Sequence, residues 1–470
     1  MQVFLLLLDH ANEVVTRDAI FAAGWGGAMV GDDSLNRAIN RVRRIAAETG
    51  PDLFEIETIP RTGYRLIGDF PGFETRAESI EATRTQGLSR RALALAGGAV
   101  AISAGAGLWF LKPHRARSGT DDRVEEAGQI LRFGQSTSEV SATALLKEVL
   151  AQDPNNSEAL GLLAYALAES AVEKDAGSRI AEAKVAIDRA LALDPRNPNA
   201  RLALLFFNTS NFDWVQTEDE LLAVLKDDPD NHFALSRLVF LYQGAGLTGR
   251  SWDVNERLIK LDPVAPIPMM RRGLKSWIYG RTAEADKVLE RLIRIWPAHA
   301  SIWNARFLVL AFTDRTGAAQ AMLDYTAALP KSVKPASMVQ WRPTFAALDS
   351  PTPANRRAAV EANIAAARQS AGQAAYAAMA MSAIGELDAA YAITNGLMFA
   401  HGDVIPKRPA DGSTSLINDQ SWRHTQWIST PPMFAFRQDP RFQSLCDGMG
   451  LTAYWKLRGV RPDYPPTRMP

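Results

Sequence analysis

Apolar and polar positions follow a helical pattern from the first residues of the chain. Val3 to Leu8 form an uninterrupted apolar run of six residues, closed by Asp9 and His10. An export signal needs a basic lead and roughly 7–15 apolar residues. No Lys or Arg precedes this run, and the pattern continues softly through Val14, Val15, Ile20 and Phe21. It therefore predicts a core helix from Gln2 to about Ala11. Thr16 suits the N-cap of a second helix reaching about Ala23. A third helix is expected from Asp33 or Ser34 to about Thr49. Its apolar positions Leu35, Ile39, Val42 and Ala46 are spaced 4, 3 and 4 and share one face. Phe54, Ile56 and Thr58 then alternate, Pro60 to Gly63 supply a turn, and Tyr64 and Leu66 resume the alternation. This predicts a short β-hairpin with Arg61 at its tip.

The pattern breaks at residues 92–111, ALALAGGAVAISAGAGLWFL, twenty residues without a charge. As a helix they reach about 30 Å, the thickness of a bilayer core. Arg90 and Arg91 precede them, Lys112 to Arg115 follow, and Trp109 and Phe110 stand where an interfacial belt forms. The segment predicts a single transmembrane helix. The near-equal basic flanks leave its orientation open. Gly97, Ala101 and Gly105 form a small-residue stripe that suits packing against a second copy, a homodimer. Residues 69–91 and 112–122 read as linkers.

Beyond the span the helical pattern repeats. X-Pro pairs end successive stretches at Pro154, Pro195, Pro229, Pro263, Pro297 and Pro330, with separations of 41, 34, 34, 34 and 33. A period of 34 resembles that of the tetratricopeptide repeat, two antiparallel helices per unit. The longer first interval fits an enlarged turn around EKDAGS (173–178). Leu160, Leu163, Ala164 and Leu167 occupy first-helix packing positions. Ala142, Ala183, Ala285 and Ala319 stand where the second helix crosses the first, and Gly273 and Trp303 fall at two further signature positions. The register fails at Arg201, Asn255 and Arg306. Helical pairs continue over 354–402, residues 403–430 are loop-like, and the end resembles a capping element. Phe434, Phe436, Phe442, Leu451, Tyr454 and Trp455 are expected to cover the apolar face of the last repeat. The expected fold is mainly α: a winged helix-turn-helix over 1–68, a linker over 69–91, the span over 92–111 and a second linker over 112–122. An α-solenoid of tetratricopeptide-like repeats follows over 123–335, with further helical pairs and a C-terminal cap over 336–470.

Charge changes the picture only locally. Lys and Arg number 52, as do Asp and Glu, so the whole chain is neutral. Residues 1–91 carry 11 arginines against 13 acids. Yet between Ser34 and Ala47 there are four arginines and no acid. The polar face of the third helix holds Asn36, Arg37, Asn40, Arg41, Arg43 and Arg44. Arginine can bridge guanine and asparagine adenine, while phosphates take either charge or amide. A solvated basic helix is the plain alternative on charge alone. The single Cys446 excludes an intrachain disulfide, and the six histidines show no metal-ligand spacing. No Gly-rich phosphate loop, GxSxG elbow, HExxH or paired-carboxylate motif occurs. No enzyme activity, metal or cofactor is expected.

A basic helix followed directly by a hairpin with a basic tip describes a winged helix. VVTRDAIFAAGW, DDSLNRAINRVRR and IETIPRTGYRL resemble the OmpR/PhoB-type winged-helix domain, over about 65 of the 470 residues. The resemblance implies that the third helix enters the major groove of double-stranded DNA and the wing the adjacent minor groove. It assigns DNA contacts to Asn40, Arg41, Arg43, Arg61 and Thr62, and core positions to Trp25, Ile39, Val42 and Tyr64; the polar face adds Asn36, Arg37 and Arg44 as candidate contacts. Family members place an antiparallel sheet before the first helix. Here the chain begins inside that helix, so either the sheet is absent or the start lies further upstream. No receiver domain, and so no phosphoacceptor aspartate, is read within this chain.

DNA-binding unit, span and repeats together resemble ToxR/CadC-like membrane-anchored regulators. That implies a bacterial inner-membrane protein with a cytoplasmic N-terminus and a periplasmic repeat domain that meets a ligand, protein or peptide. The rival expectation is a membrane-anchored tetratricopeptide scaffold with a degenerate, non-binding winged helix. Trp214, Trp252, Trp277 and Trp303 are read as core residues, with a peptide groove as the alternative.

Overall fold

The structure is a computed structural model. It describes residues 2–20, 35, 39, 42, 43, 54–59, 62–68, 119–134, 138–170, 176–207, 212–263, 265–334, 338–405 and 425–464. The expected span over 92–111 and its small-residue stripe lie outside these residues. Among the described residues no helix is long and apolar enough to cross a membrane. The chain forms two compact units, Met1–Ala116 and Arg117–Pro470.

In the first unit, helix α1 (Gln2–Asp9) buries Val3, Phe4, Leu7 and Leu8 along one face. It ends earlier than the apolar pattern alone requires. Asn12 takes φ +66°, a left-handed conformation that asparagine tolerates and that cannot continue a helix. The side-chain amide of Asn12 then pairs with the backbone of Gly68, donating at 3.1 Å and accepting at 3.2 Å. Val14–Thr16 forms strand β1, which sequence pattern alone did not indicate. Thr16 still caps a helix as expected, its Oγ1 accepting from Ala19 N at 3.2 Å. Strands β2 (Phe54–Ile59) and β3 (Gly63–Gly68) form the expected hairpin. The sheet order is β1-β3-β2, antiparallel throughout, with Ile56 opposite Leu66 and both buried.

The second unit is a series of antiparallel helix pairs. The first pair is α2 (Gly119–Phe133) with α3 (Ser138–Gln152). Helix α2 begins inside the expected linker, and Asp121 and Asp122 in its first turn favour that start electrostatically. The next pairs are α4 (Ser157–Ser170) with α5 (Ala176–Leu193), and α6 (Pro198–Leu204) with α7 (Trp214–Asp227). They are followed by α8 (His232–Gly244) with α9 (Thr248–Leu261), and α10 (Pro266–Ile278) with α11 (Thr282–Ile295). Then come α12 (Ala300–Ala311) with α13 (Thr316–Asp324), and α14 (Trp341–Asp349) with α15 (Pro353–Ala367). The last full pair is α16 (Ala371–Ala383) with α17 (Leu387–Phe399).

Local chemistry sets this periodicity. Helices α3, α5, α7, α9 and α11 each end two residues before a proline, which cannot continue a helix. Two residues after three of those prolines, Asn156, Asn197 and Asn231 cap the next helix, each accepting a backbone N–H at 2.9 Å. Within pairs, the turn residues Gly246, Gly280, Asp314 and Gly385 all take positive φ, between +55° and +82°. The crossing alanines Ala142, Ala183, Ala285 and Ala319 are completely buried, so neighbouring backbones approach closely. The three departures from the repeat register are each matched by a partner. Arg201 pairs with Glu220 and Asp227, Arg306 with Asp286 and Glu290, and the buried Asn255 donates to Pro268 O at 2.9 Å.

The C-terminal segment corrects one expectation. Its first part does cover the last pair: Phe436 stacks on Tyr391 with centroids 4.0 Å apart, and Ser382 donates to Pro432 O at 2.7 Å. The later part, through α18 (Phe434–Gln438), α19 (Arg441–Gly448) and α20 (Leu451–Arg458), returns to the middle of the array instead. Trp214 donates to Met449 O and Trp455 to Ala245 O, both at 2.8 Å. The reason is the buried carboxylate of Glu218 on α7. It accepts from Tyr242 at 2.9 Å and from Tyr454 at 3.1 Å, and Arg458 Nε lies 2.8 Å away. Burial first, then the charge of Glu218, pushes both phenols above the ordinary tyrosine range, which keeps them donors. Asp463 completes the closure. Helix α9 has no side-chain cap of its own, and Asp463 accepts from Thr248 N and, at 2.9 Å, from Gly249 N.

Glu218→Leu removes the partner of two phenols and a guanidinium at once. It is expected to cost about 3 kcal/mol in urea unfolding, the scale of breaking a buried charge pair. Tyr454→Phe, which removes one hydrogen bond, is expected to cost about 1 kcal/mol.

Candidate nucleic-acid interface

The third helix is fixed by its apolar face. Leu35, Ile39 and Val42 are helical and at most 1% exposed, as the spacing predicts. Tyr64 is buried as expected, beside Ile56 and Leu66. Of the eight residues assigned to DNA, two lie among the described residues. Asn36, Arg37, Asn40, Arg41, Arg44 and Arg61 lie outside them, as does Trp25.

Arg43 directly follows the buried Val42 and is exposed. One terminal nitrogen of its guanidinium donates to Thr58 Oγ1 at 2.7 Å and to Ile56 O at 3.3 Å. Both acceptors lie on β2, so this arginine ties the third helix to the wing. Its other guanidinium nitrogens have no partner among the described residues. The side chain can therefore hold the wing and present charge to a phosphate at the same time. Thr62 sits in the hairpin turn and is exposed; its N–H donates to Ile59 O at 3.1 Å, and its carbonyl accepts from Arg17 N at 3.1 Å.

Four structural residues of this site carry roles that the sequence pattern did not assign. Gly63 sits opposite Thr16 of β1, and a Cβ there would lie 1.9 Å from Val15 O. Only a glycine lets β1 and β3 close at that point, and the GYRL sequence was the available signal. Glu57 and Arg65 face each other across β2 and β3, with Arg65 Nη2 2.6 Å from Glu57 Oε2. Asn12, described above, fastens the end of α1 to the end of β3.

Four tryptophans of the second unit were expected in its core. Trp214, Trp277 and Trp303 are buried in its main core. Trp252 is half-buried, edge-on to Tyr279 with centroids 5.7 Å apart.

Residues 1–66 match the family described as transcriptional regulatory protein, C terminal. The first unit therefore carries the OmpR/PhoB-type domain that its motifs resemble. Over 64 residues the chain is 38% identical to the transcriptional regulator HilA of Salmonella typhimurium, covering 14% of this chain and 11% of that protein. Over 68 residues it is 32% identical to the cholera toxin homolog transcriptional activator of Vibrio parahaemolyticus, covering 14% of this chain and 23% of that protein. The matched segment thus spans under a quarter of either curated relative. Among solved structures, a tetratricopeptide repeat protein from Parabacteroides merdae aligns with 53% of this chain and 91% of its own, at 13% identity and a TM-score of 0.33. Yeast Tom70 aligns with 74% of this chain and 67% of its own, at 14% identity and a TM-score of 0.34.

Gly63→Ala forces a methyl group onto a backbone oxygen that cannot move aside alone. It is expected to cost about 2–3 kcal/mol in thermal unfolding of the first unit, the scale of overpacking. Arg65→Ala, at a half-exposed pair, is expected to change it by less than about 1 kcal/mol.

Proposed function

We propose that this chain is a one-component transcription regulator anchored in a bacterial inner membrane. Its winged helix binds double-stranded DNA from the cytoplasm, and its repeat unit receives the signal from the periplasm. The observation that carries the DNA part is the pairing of Arg43 with β2. It locks a helix whose inner face is Leu35, Ile39 and Val42 to a wing hairpin. On this reading Asn36, Arg37, Asn40, Arg41 and Arg44 meet the major groove, and Arg61 and Thr62 the minor groove. The match of residues 1–66 and the two regulators that share this segment support the reading.

Anchoring rests on the uncharged twenty residues 92–111 and their basic flanks. DNA on the cytoplasmic side sets the orientation, which puts the repeat unit outside. No chemistry for catalysis is assigned to either unit.

Gel-shift and footprinting of the full-length protein test the DNA reading against the scaffold alternative. Binding is expected to weaken steeply with salt, because phosphate contacts release counterions. Arg41→Ala is expected to lower affinity at least tenfold, by roughly 1.4 kcal/mol or more. A folded protein without salt-sensitive binding overturns the regulator reading. Topology is tested separately. Alkaline phosphatase joined after residue 470 is expected to be active, and joined after residue 68 inactive; the reverse pattern overturns the orientation.

A further inference from the structure

The repeat unit holds a partly open cavity of about 630 Å³. That lies within the roughly 300–1,000 Å³ that holds drug-sized ligands. Most of its wall is apolar and aromatic, including Tyr165, Phe240, Trp277, Tyr376 and Trp427. Its charged lining residues are Arg132, Glu139, Glu169, Arg271 and Lys275, the last two on α10. Arg271 and Lys275 stand one turn apart on that helix, are 8% and 4% exposed, and line the cavity together.

Two buried cations on one helix face repel each other and lose their hydration, so both need compensation. The described residues give little. Lys275 donates to Gln243 at 2.8 Å and to Ser251 at 2.6 Å, both neutral. Arg271 donates one terminal nitrogen to Ser236 at 3.0 Å and lies over the Phe240 ring at 4.2 Å. Neither cation makes an ion pair among the described residues. Of the acids on the cavity lining, Glu139 is held by Arg179 at 3.2 Å, and Glu169 is exposed. Buried donors remain unused: Arg271 Nε and Trp427 Nε1 have no hydrogen-bond partner among the described residues, nor has either ring nitrogen of His232.

We propose that this cavity binds a small carboxylate with an apolar body, its anionic head on Arg271 and Lys275 and its body against the aromatic wall. The protonation of the site agrees. Burial, with Arg271 adding to it, pulls the Lys275 ammonium down to about 7, while Asp463 acts weakly the other way. Burial pulls Arg271 down to about 10, with Tyr165 and the charge of Glu169 acting the other way. Burial, helped by Arg132 and Arg271, holds His232 down to about 3, so it stays neutral and takes no part as a counter-charge. An anion between Arg271 and Lys275 restores the charge that burial removes. Treating this ligand as the signal rests on the regulator reading above; the binding itself does not.

Isothermal titration of the full-length protein with 4-phenylbutyrate and with 4-phenylbutanol tests it, without DNA. One carboxylate per chain is expected to bind, at least tenfold more tightly than the alcohol. Arg271→Gln and Lys275→Met are each expected to weaken it at least tenfold. Gly372→Trp is a second route, since Gly372 lines the cavity and a Cβ there meets nothing closer than 3.9 Å. It is expected to block binding while circular dichroism stays unchanged. Equal affinity for acid and alcohol, absence of saturable binding to the folded protein, or full affinity in Gly372→Trp overturns the proposal. A protein that shifts DNA yet fails this titration loses the cavity assignment alone. One that binds the acid yet ignores DNA loses the regulator reading alone.

Discussion

The carboxylate of Glu218 organises the second unit. A helical-pair array extended by simple repetition has a concave face and two ends, all of them wet. Here α7 carries a buried acid that Tyr242 satisfies only in part. The remaining oxygen waits for Tyr454 and Arg458, far along the chain. Because an unpaired buried charge is far more costly than a paired one, the C-terminal segment must come back across the array. Asp463 at the head of α9, and Trp455 on the carbonyl of Ala245, follow from that return. So does the cavity, since Trp427 and Thr430, from the segment that leads into this return, form part of its wall.

Much of the array was legible in the sequence because its rules are local. A proline two residues past a helix, an asparagine two residues past the proline and an alanine at the crossing act within one repeat. Each therefore leaves a mark at a fixed spacing. Arg201, Asn255 and Arg306 looked like lapses of register for the same reason. Their compensation lies in side chains of neighbouring helices, which a single-repeat template does not contain. The return of the C-terminal segment left no periodic mark. Tyr454 and Trp455 read as cap residues of the last repeat, and nothing local says which of several exposed faces they cover.

The winged helix shows the same division. The inner face Leu35, Ile39 and Val42 and the alternation of the hairpin strands followed from periods of 3.6 and 2. Strand β1 did not, because three residues are too few to show alternation, and its existence depends on Gly63 admitting it against β3. Arg43 was assigned to DNA by the family resemblance. Its hydrogen bonds to β2 add a second role that charge alone does not reveal.

The closure over Glu218 also has a consequence in time. Tyr454 follows its partner acid by 236 residues. At the usual pace of synthesis, about 5–20 residues per second, roughly 10–50 s pass between the two. Throughout that interval the helix pairs around Glu218 can form from local contacts while the acid itself stays hydrated. Closure over Glu218 therefore cannot precede the synthesis of Tyr454. Chaperones and proteases meet an open array long before they meet a closed one.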